Sequence, residues 1–225
     1  MSTLAVIIAR SGSKGLPHKN SLPIAGKPML AWTLEHALET RGLDDVIVST
    51  EGQELLEIAR QYPVKIIERP AELATDTTPV DAVVRHVVES TDAKQVAILY
   101  GNIPVRPSHL TRQALDKLME TGCDSVQSVH PVQKNHPYWM KKVEGDRLLM
   151  YEPNAVYRRQ DLPPVYMLDG GVIAVTRASL FTVVPGEPHA FLGTDRRAIV
   201  TQPDEVVDVD TLMDAQVAQA ILSAH

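Results

Sequence analysis

Short apolar runs alternate with helical patterns along most of this chain, and no other feature restricts the fold as strongly. The stretches LAVIIA (4–9), DVIVST (45–50), VKII (64–67), QVAILY (95–100) and SVQSV (125–129) read as buried strands. Between them, residues 28–40, 52–62, 79–91 and 107–121 repeat apolar positions at helical spacing. Pro28 is suited to open the first of these helices and Ser108 to cap the fourth. Strands and helices in this order predict a mostly parallel sheet covered on both faces, with right-handed crossovers. The pattern breaks near His130. Residues 130–167 are richer in Pro, Tyr and charge, and read as an excursion with short antiparallel strands. Regular structure resumes at GGVIAVT (170–176) and RAIVT (197–201), and a last amphipathic helix spans 211–223. No internal repeat divides the chain, so residues 1–225 are expected to form a single α/β domain carrying one excursion.

Charge narrows the range of partners. Lys and Arg number 22 against 28 Asp and Glu, a net charge of −6. A nucleic-acid partner is not expected, because gripping a phosphate backbone takes a basic field. Cys123 is the only cysteine, so no intrachain disulfide can form. The first apolar run has only six residues, too few for a signal peptide, and nothing approaches a membrane span. The expectation is a cytoplasmic protein with no membrane partner.

The placement of charge says more than its sum. Residues 1–34 hold no Asp or Glu, but hold Arg10, Lys14, Lys19 and Lys27. The segment PDEVVDVDTLMD (203–214) holds five acids and no base. The first strand empties into the loop ARSGSKGLPHKN (9–20), at the carboxyl edge of the sheet, where open α/β folds bind ligands. Gly12 and Gly15 permit close backbone approach, and successive N–H groups there can form an anion nest. Ser11 and Ser13 add hydroxyl donors, and Arg10 and Lys14 add full charge. GxxxxGK[ST] and GxGxxG are both absent, so neither familiar phosphate loop applies. The loop reads as a polyphosphate site, against the alternative of a mobile basic surface.

Asp208 and Asp210 stand two residues apart, on the same side of an extended chain. Two carboxylates about 5 Å apart repel by roughly 3 kcal/mol at an effective dielectric near 20, and by under about 1 kcal/mol in water. The pair is therefore either solvated or set in a cleft with a cation or a shared proton.

The loop ARSGSKGLPHKN resembles the signature of the acylneuraminate cytidylyltransferases, the CMP–sialic acid synthetase family. RPAELATDT (69–77), RRQDLPPVY (158–166) and VDVDT (207–211) resemble further motifs of that family, in the same order. The resemblance implies a Rossmann-like three-layer α/β sandwich of the nucleotide-diphospho-sugar transferase type. It implies transfer of CMP from CTP to a 2-keto-3-deoxy acid sugar, with Mg²⁺ as cofactor and pyrophosphate as product. Arg10 and Lys14 would hold the triphosphate, and the backbone of Ala9, Ser11, Gly12 and Ser13 would line it. Asn20 and Arg69 would position the nucleotide, with Asp76 and Thr77 near cytosine or ribose. Asp208 and Asp210 would be the metal ligands and, with Arg10 and Lys14, the catalytic set. Tyr100, Arg106, Arg159, Gln160 and Asp169 would face the acid sugar. In relatives the excursion packs on a partner subunit, so a homodimer is implied, with Lys141 or Lys142 able to reach the partner's acceptor site.

The match weakens on the acceptor side. LYGNIPVR (99–106) stands where the family reads LQPTSPLR, so Tyr100 replaces a glutamine. DGGVI (169–173) stands where NGAIY is usual, putting Asp169 for the asparagine and Ile173 for the tyrosine. These changes imply either another acid sugar or a relaxed site, or else the same contacts recovered differently. Two other functions fit parts of the pattern. One is a glycosyltransferase, although its DxD usually follows a central strand. The other is a CTP-binding relative without acceptor chemistry. Cys123, Trp32, His130 and His136 read as packing residues, since no zinc-like spacing joins them.

Overall fold

The computed structural model describes residues 2–12, 15–132 and 134–224. The chain runs β1 (Thr3–Ile8), β2 (Pro23–Ile24), β3 (Lys27–Pro28), α1 (Met29–Glu39), β4 (Asp45–Thr50), α2 (Gln53–Ala59), β5 (Lys65–Glu68) and α3 (Val80–Val88). It continues with β6 (Gln95–Tyr100), α4 (Leu110–Thr121), β7 (Ser125–Pro131), β8 (Lys141–Glu144), β9 (Arg147–Met150), β10 (Tyr166–Thr176), α5 (Arg177–Leu180), β11 (Arg196–Val200) and α6 (Leu212–Leu222).

Seven strands form one sheet in the order β11-β7-β10-β6-β1-β4-β5. Every neighbouring pair is parallel except the two made by β10, which runs antiparallel to β6 and β7. The central strands are apolar on both sides because both faces are covered. On β1, Ala5 and Ile7 pack with Leu30 and Leu34 of α1, Leu55 of α2 and Leu115 of α4. Leu4 and Val6 face the other way, towards Val84, Val87 and Val88 of α3 and Leu180 of α5. This gives the three-layer α/β sandwich expected from the alternation. A third apolar cluster packs α6 against Ile24, Met29 and Trp32.

Helix starts depart from the sequence reading. Pro28 does not open α1. It pairs with Pro23 in the β2–β3 hairpin, which keeps its backbone extended, and α1 begins at Met29. Ser108 does not cap α4. A tight turn, Leu110 N–H to the Pro107 carbonyl at 3.0 Å, moves the boundary to His109, whose side chain makes no capping bond. The last helix is capped as its sequence suggests, with Thr211 and Asp214 forming a reciprocal capping box.

The excursion contains the antiparallel pair β8–β9. It leaves the sheet after β7 and returns in β10, two strands that are themselves hydrogen-bonded. Strand β10 also begins earlier than expected, at Tyr166, and shifts register between Leu168 and Ile173. Gly170 lies in that irregularity with φ of +74°, and a Cβ there would meet Ile103 Cδ1 at 2.9 Å. Glycine therefore lets the strand bend close to the carboxyl edge of β6.

Candidate active site

Strands β1, β4 and β6 end side by side, and their carboxyl edge opens into a cavity of about 320 Å³. Ala9, Arg10, Lys19, Asn20 and Arg69 line one wall, and Thr75, Asp76, Thr78, Tyr100, Asn102 and Asp208 line much of the rest. The loop after β1 enters this cavity because its first residues are tied to neighbouring strands. Ala9 N–H donates to the Ser49 carbonyl at 3.1 Å, and Ser11 N–H donates to Glu51 Oε1 at 2.7 Å. Buried Arg69 joins both strand ends. Its Nη2 donates to the Ala9 and Ser49 carbonyls at 3.2 and 2.7 Å, and its Nη1 lies 3.5 Å from Glu51 Oε2. Arg69 thus braces the floor of the cavity from beneath.

The cations of this wall are matched with carboxylates. Arg10 bonds Asp76 across the cavity mouth, and Lys19 Nζ donates to Asp210 Oδ1 at 2.6 Å. Asn20 is buried; its amide donates to the Arg10 carbonyl at 2.9 Å, and its Oδ1 has no partner among the described residues. Gly101 leaves room for that amide, since a Cβ there would lie 3.0 Å from Asn20 Oδ1 and 2.9 Å from Ala9 Cβ.

The acidic segment is delivered by backbone pairing. Val207 N–H donates to the Val105 carbonyl at 3.1 Å, and Val209 N–H to the Asn102 carbonyl at 3.0 Å. These bonds lay residues 207–209 across the turn after β6, and Asp208 accepts from the Asn102 amide. Burial, with the Asp210 charge second, pushes the Asp208 carboxyl up to about 6. Burial also raises the neighbouring Tyr100 phenol, helped by the Asp208 charge.

A second cavity of about 650 Å³ adjoins the first and shares Tyr100 and Asp208 with it. Gln127, Ser128, His130, Asp169, Gly170 and Asp214 are among its lining residues, and no Lys or Arg among the described residues is. Asp169 is buried here and accepts from Ser128, from Gly171 N–H at 2.8 Å and from Thr201 Oγ1 at 2.6 Å. Three internal donors occupy it, so it acts first as an anchor for the β10 irregularity. Arg106 lies below Tyr100. It donates to the Tyr100 carbonyl and to Thr33 Oγ1, both at 3.2 Å, and lines neither cavity. Burial lowers its affinity for a proton, opposed by the charges of Asp169 and Asp208. Beside it, buried His36 bonds Thr111 Oγ1 at 2.7 Å. Burial first and Arg106 second depress that imidazole to about 3, so His36 is neutral.

The structure therefore gathers Ala9, Arg10, Asn20, Arg69, Asp76 and Asp208 around one cavity and Tyr100, Asp169 and Asp208 around the next. Ser13 and Lys14 lie outside the described residues. Ser11 and Gly12 sit at the loop's edge, and Thr77 bonds Thr75 on the exposed side. Arg159 and Gln160 stand on the exposed excursion and line neither cavity. Lys19 and Asn102 belong to the site without having been singled out. Lys19 was visible as one more charge in the basic loop, whereas Asn102 had no signal until folding set it against Asp208.

A divalent cation of the Mg²⁺ type suits this donor set. Asp208 offers a hard carboxylate at the wall shared by the two cavities, and Asp210 follows two residues on. Among the described residues no cluster of three or more His, Cys, Asp or Glu could form a full protein cage. An ion holding few protein oxygens and completing its shell with phosphate and water is the habit of Mg²⁺.

A three-layer sheet with a cationic loop after its first strand and an acidic segment across its edge has the layout of a nucleotidyltransferase. A cytidylyltransferase family model matches residues 4–167, and the chain belongs to that family. N-acylneuraminate cytidylyltransferase of Streptococcus agalactiae serotype V is 34% identical over 177 residues, covering 76% of this chain and 43% of the relative. The chain thus spans less than half the length of that relative. CMP-N,N'-diacetyllegionaminic acid synthase of Legionella pneumophila is 28% identical over 236 residues, covering 100% of this chain and 98% of the relative. Among solved structures, CMP:2-keto-3-deoxy-manno-octonic acid synthetase complexed with CTP superposes with a TM-score of 0.76 at 21% identity, covering 100% of this chain and 99% of that one. The last likeness bears on the fold alone.

Proposed function

We propose that this protein transfers CMP from CTP to the anomeric hydroxyl of a 2-keto-3-deoxy acid sugar and releases pyrophosphate. The observation that carries the reading is the pair of adjoining cavities meeting at Tyr100 and Asp208. One presents Arg10, Lys19 and Arg69; the other has no Lys or Arg among its lining residues. A polyanion fits the first and a polyhydroxylated acceptor the second, with the reacting atoms at the shared wall.

The sugar oxygen bonds to the α-phosphorus, the bond from that phosphorus to the β-phosphate oxygen breaks, and the hydroxyl proton leaves to solvent. Such a transfer needs alignment and charge neutralisation more than covalent help. Arg10, Lys19 and, from the sequence, Lys14 neutralise the triphosphate. Asn20 offers its unpartnered Oδ1 to a donor on the nucleotide, in keeping with the buried amide's need for a partner. Asp208 and Asp210 would hold Mg²⁺, which supplies Lewis-acid stabilisation of phosphate charge.

Among the described residues no Lys or Arg lines the second cavity, so a cation for the acceptor's carboxylate would come from beyond it, and another subunit is one source. The excursion exposes Val143, Leu148, Tyr151, Tyr157 and Tyr166, an apolar set suited to burial against a second copy. In such a homodimer Arg159, Gln160 and Lys141 or Lys142 would be carried towards the partner's acceptor site.

The test is pyrophosphate release with Mg²⁺, comparing CTP with ATP, GTP and UTP, over a panel of sialic, legionaminic, pseudaminic and 3-deoxy-octulosonic acids. Release with CTP and one of the sugars supports the reading. Thermal stabilisation by CTP with no release over the whole panel would replace it with a nucleotide-binding relative lacking acceptor chemistry.

A further inference from the structure

Residues paired directly across the sheet form a row that runs Ile47, Val6, Ile98, Ile173, Gln127, Ala198. Five of the six are apolar, as expected where the sheet packs under α3 and the segment around Phe191. Gln127 alone is polar. It sits in the middle of β7, an interior strand flanked by β10 and β11, where Val or Ile would fill the space at no loss of hydrogen bonding. Among the described residues, no group hydrogen-bonds the Gln127 side-chain amide. A half-buried amide with two donors and an acceptor and no protein partner is unfavourable unless something else satisfies it.

The space it faces identifies what that is. Gln127 lines the 650 Å³ acceptor-side cavity and also a neighbouring cavity of about 330 Å³. The two spaces meet at Tyr100, Gln127, Leu168 and Ile173, and the smaller one is walled by Val80, Phe191 and Leu192. Tyr100 reaches the nucleotide cavity as well, so Gln127 stands on the wall common to these two spaces, next to the residue that borders the nucleotide cavity.

Resting on the proposed transfer reaction, we infer that Gln127 is a specificity-determining residue, whose amide hydrogen-bonds a polar substituent of the acid sugar away from its reacting carbon. Recognition by a paired amide disfavours sugars lacking the matching group, because the half-buried amide is then partnered less well in the closed complex.

The experiment is initial-rate kinetics of wild type, Gln127→Val and Gln127→Glu, varying each substrate against saturation of the other, over the same panel of acid sugars. Gln127→Val keeps a strand-forming side chain, and a melting temperature close to wild type establishes that it folds. The expected result is a KM for the preferred sugar raised about tenfold, a flattened ranking across the panel, and a KM for CTP within about twofold of wild type. Gln127→Glu should lose more, because its charge faces an anionic substrate. An unchanged sugar KM and ranking in a folded, active Gln127→Val would overturn the inference while leaving the transferase reading intact. A wild type that binds CTP but turns over no acid sugar would remove both.

Discussion

His36 offers a prediction that depends on burial first and on the charge of Arg106 second. Its imidazole is held neutral against Thr111 Oγ1 and beside Arg106, with its proton affinity depressed to about 3 from an ordinary value of 6.5. In the unfolded chain it titrates normally. The native state therefore gains full benefit from this group above pH 6.5 and loses it as pH falls towards 3, since only the unfolded chain takes up the proton. Integrating one site between these values gives a loss of about 2 kcal/mol between pH 7 and pH 5. For a chain of this size that lowers the melting temperature by roughly 4–8 °C. His36→Gln can still bond Thr111 but carries no titrating group. The measurement is thermal unfolding of both proteins at pH 7, 6 and 5. Carboxylates common to both cancel in the difference, so the wild-type decline should exceed that of the variant by roughly 4–8 °C. Equal declines would mean that His36 protonates in the native state, and the account of its burial beside Arg106 would be wrong.

Other expectations follow from particular contacts. Arg69→Met removes the brace between β1 and β4 and leaves Glu51 without its buried partner; urea unfolding should show about 3–5 kcal/mol lost, and an unchanged midpoint would contradict the bracing role. Lys19→Met should raise the KM for CTP at least about tenfold with little change in melting temperature, since its pair with Asp210 is largely exposed on the carboxylate side; unaltered CTP kinetics would take Lys19 out of the site. Val143→Asp with Leu148→Asp should convert a dimer to monomer in sedimentation velocity, and a monomeric wild type at micromolar concentration would refute the dimer proposal.

The sheet was legible in the sequence because its signal is periodic. Runs such as 95–100 and the helical spacing of 79–91 each carry several concordant residues. Helix starts were less so. The boundaries at Pro28 and Ser108 were decided by a hairpin and a tight turn, which the local residue type does not encode. The basic wall of the first cavity could be read because Arg10 and Asn20 stand in one loop of unusual charge. In the second cavity the family resemblance points to Tyr100 and Asp169 and the acidic pair to Asp208, whereas Gln127 carries no signal of its own, since these residues come from four separate segments and meet only after folding. The role of Asp169 shows the difference. Its identity suggested a substrate contact, whereas three internal donors make it a local anchor.

The ion pairs at the cavity also bear on which anions the protein ignores. Arg10, Lys19 and Arg69 each face a carboxylate of the same chain: Asp76, Asp210 and Glu51. Any incoming anion has to displace such a neighbour before it gains a cation. Chloride or a lone phosphate engages one cation at a time and recovers little more than it disrupts. A triphosphate reaches several at once, and each exchange it makes lowers the barrier to the next. On the proposed reading, built-in competitors of this kind would favour a ligand long enough to reach several cations over small single anions.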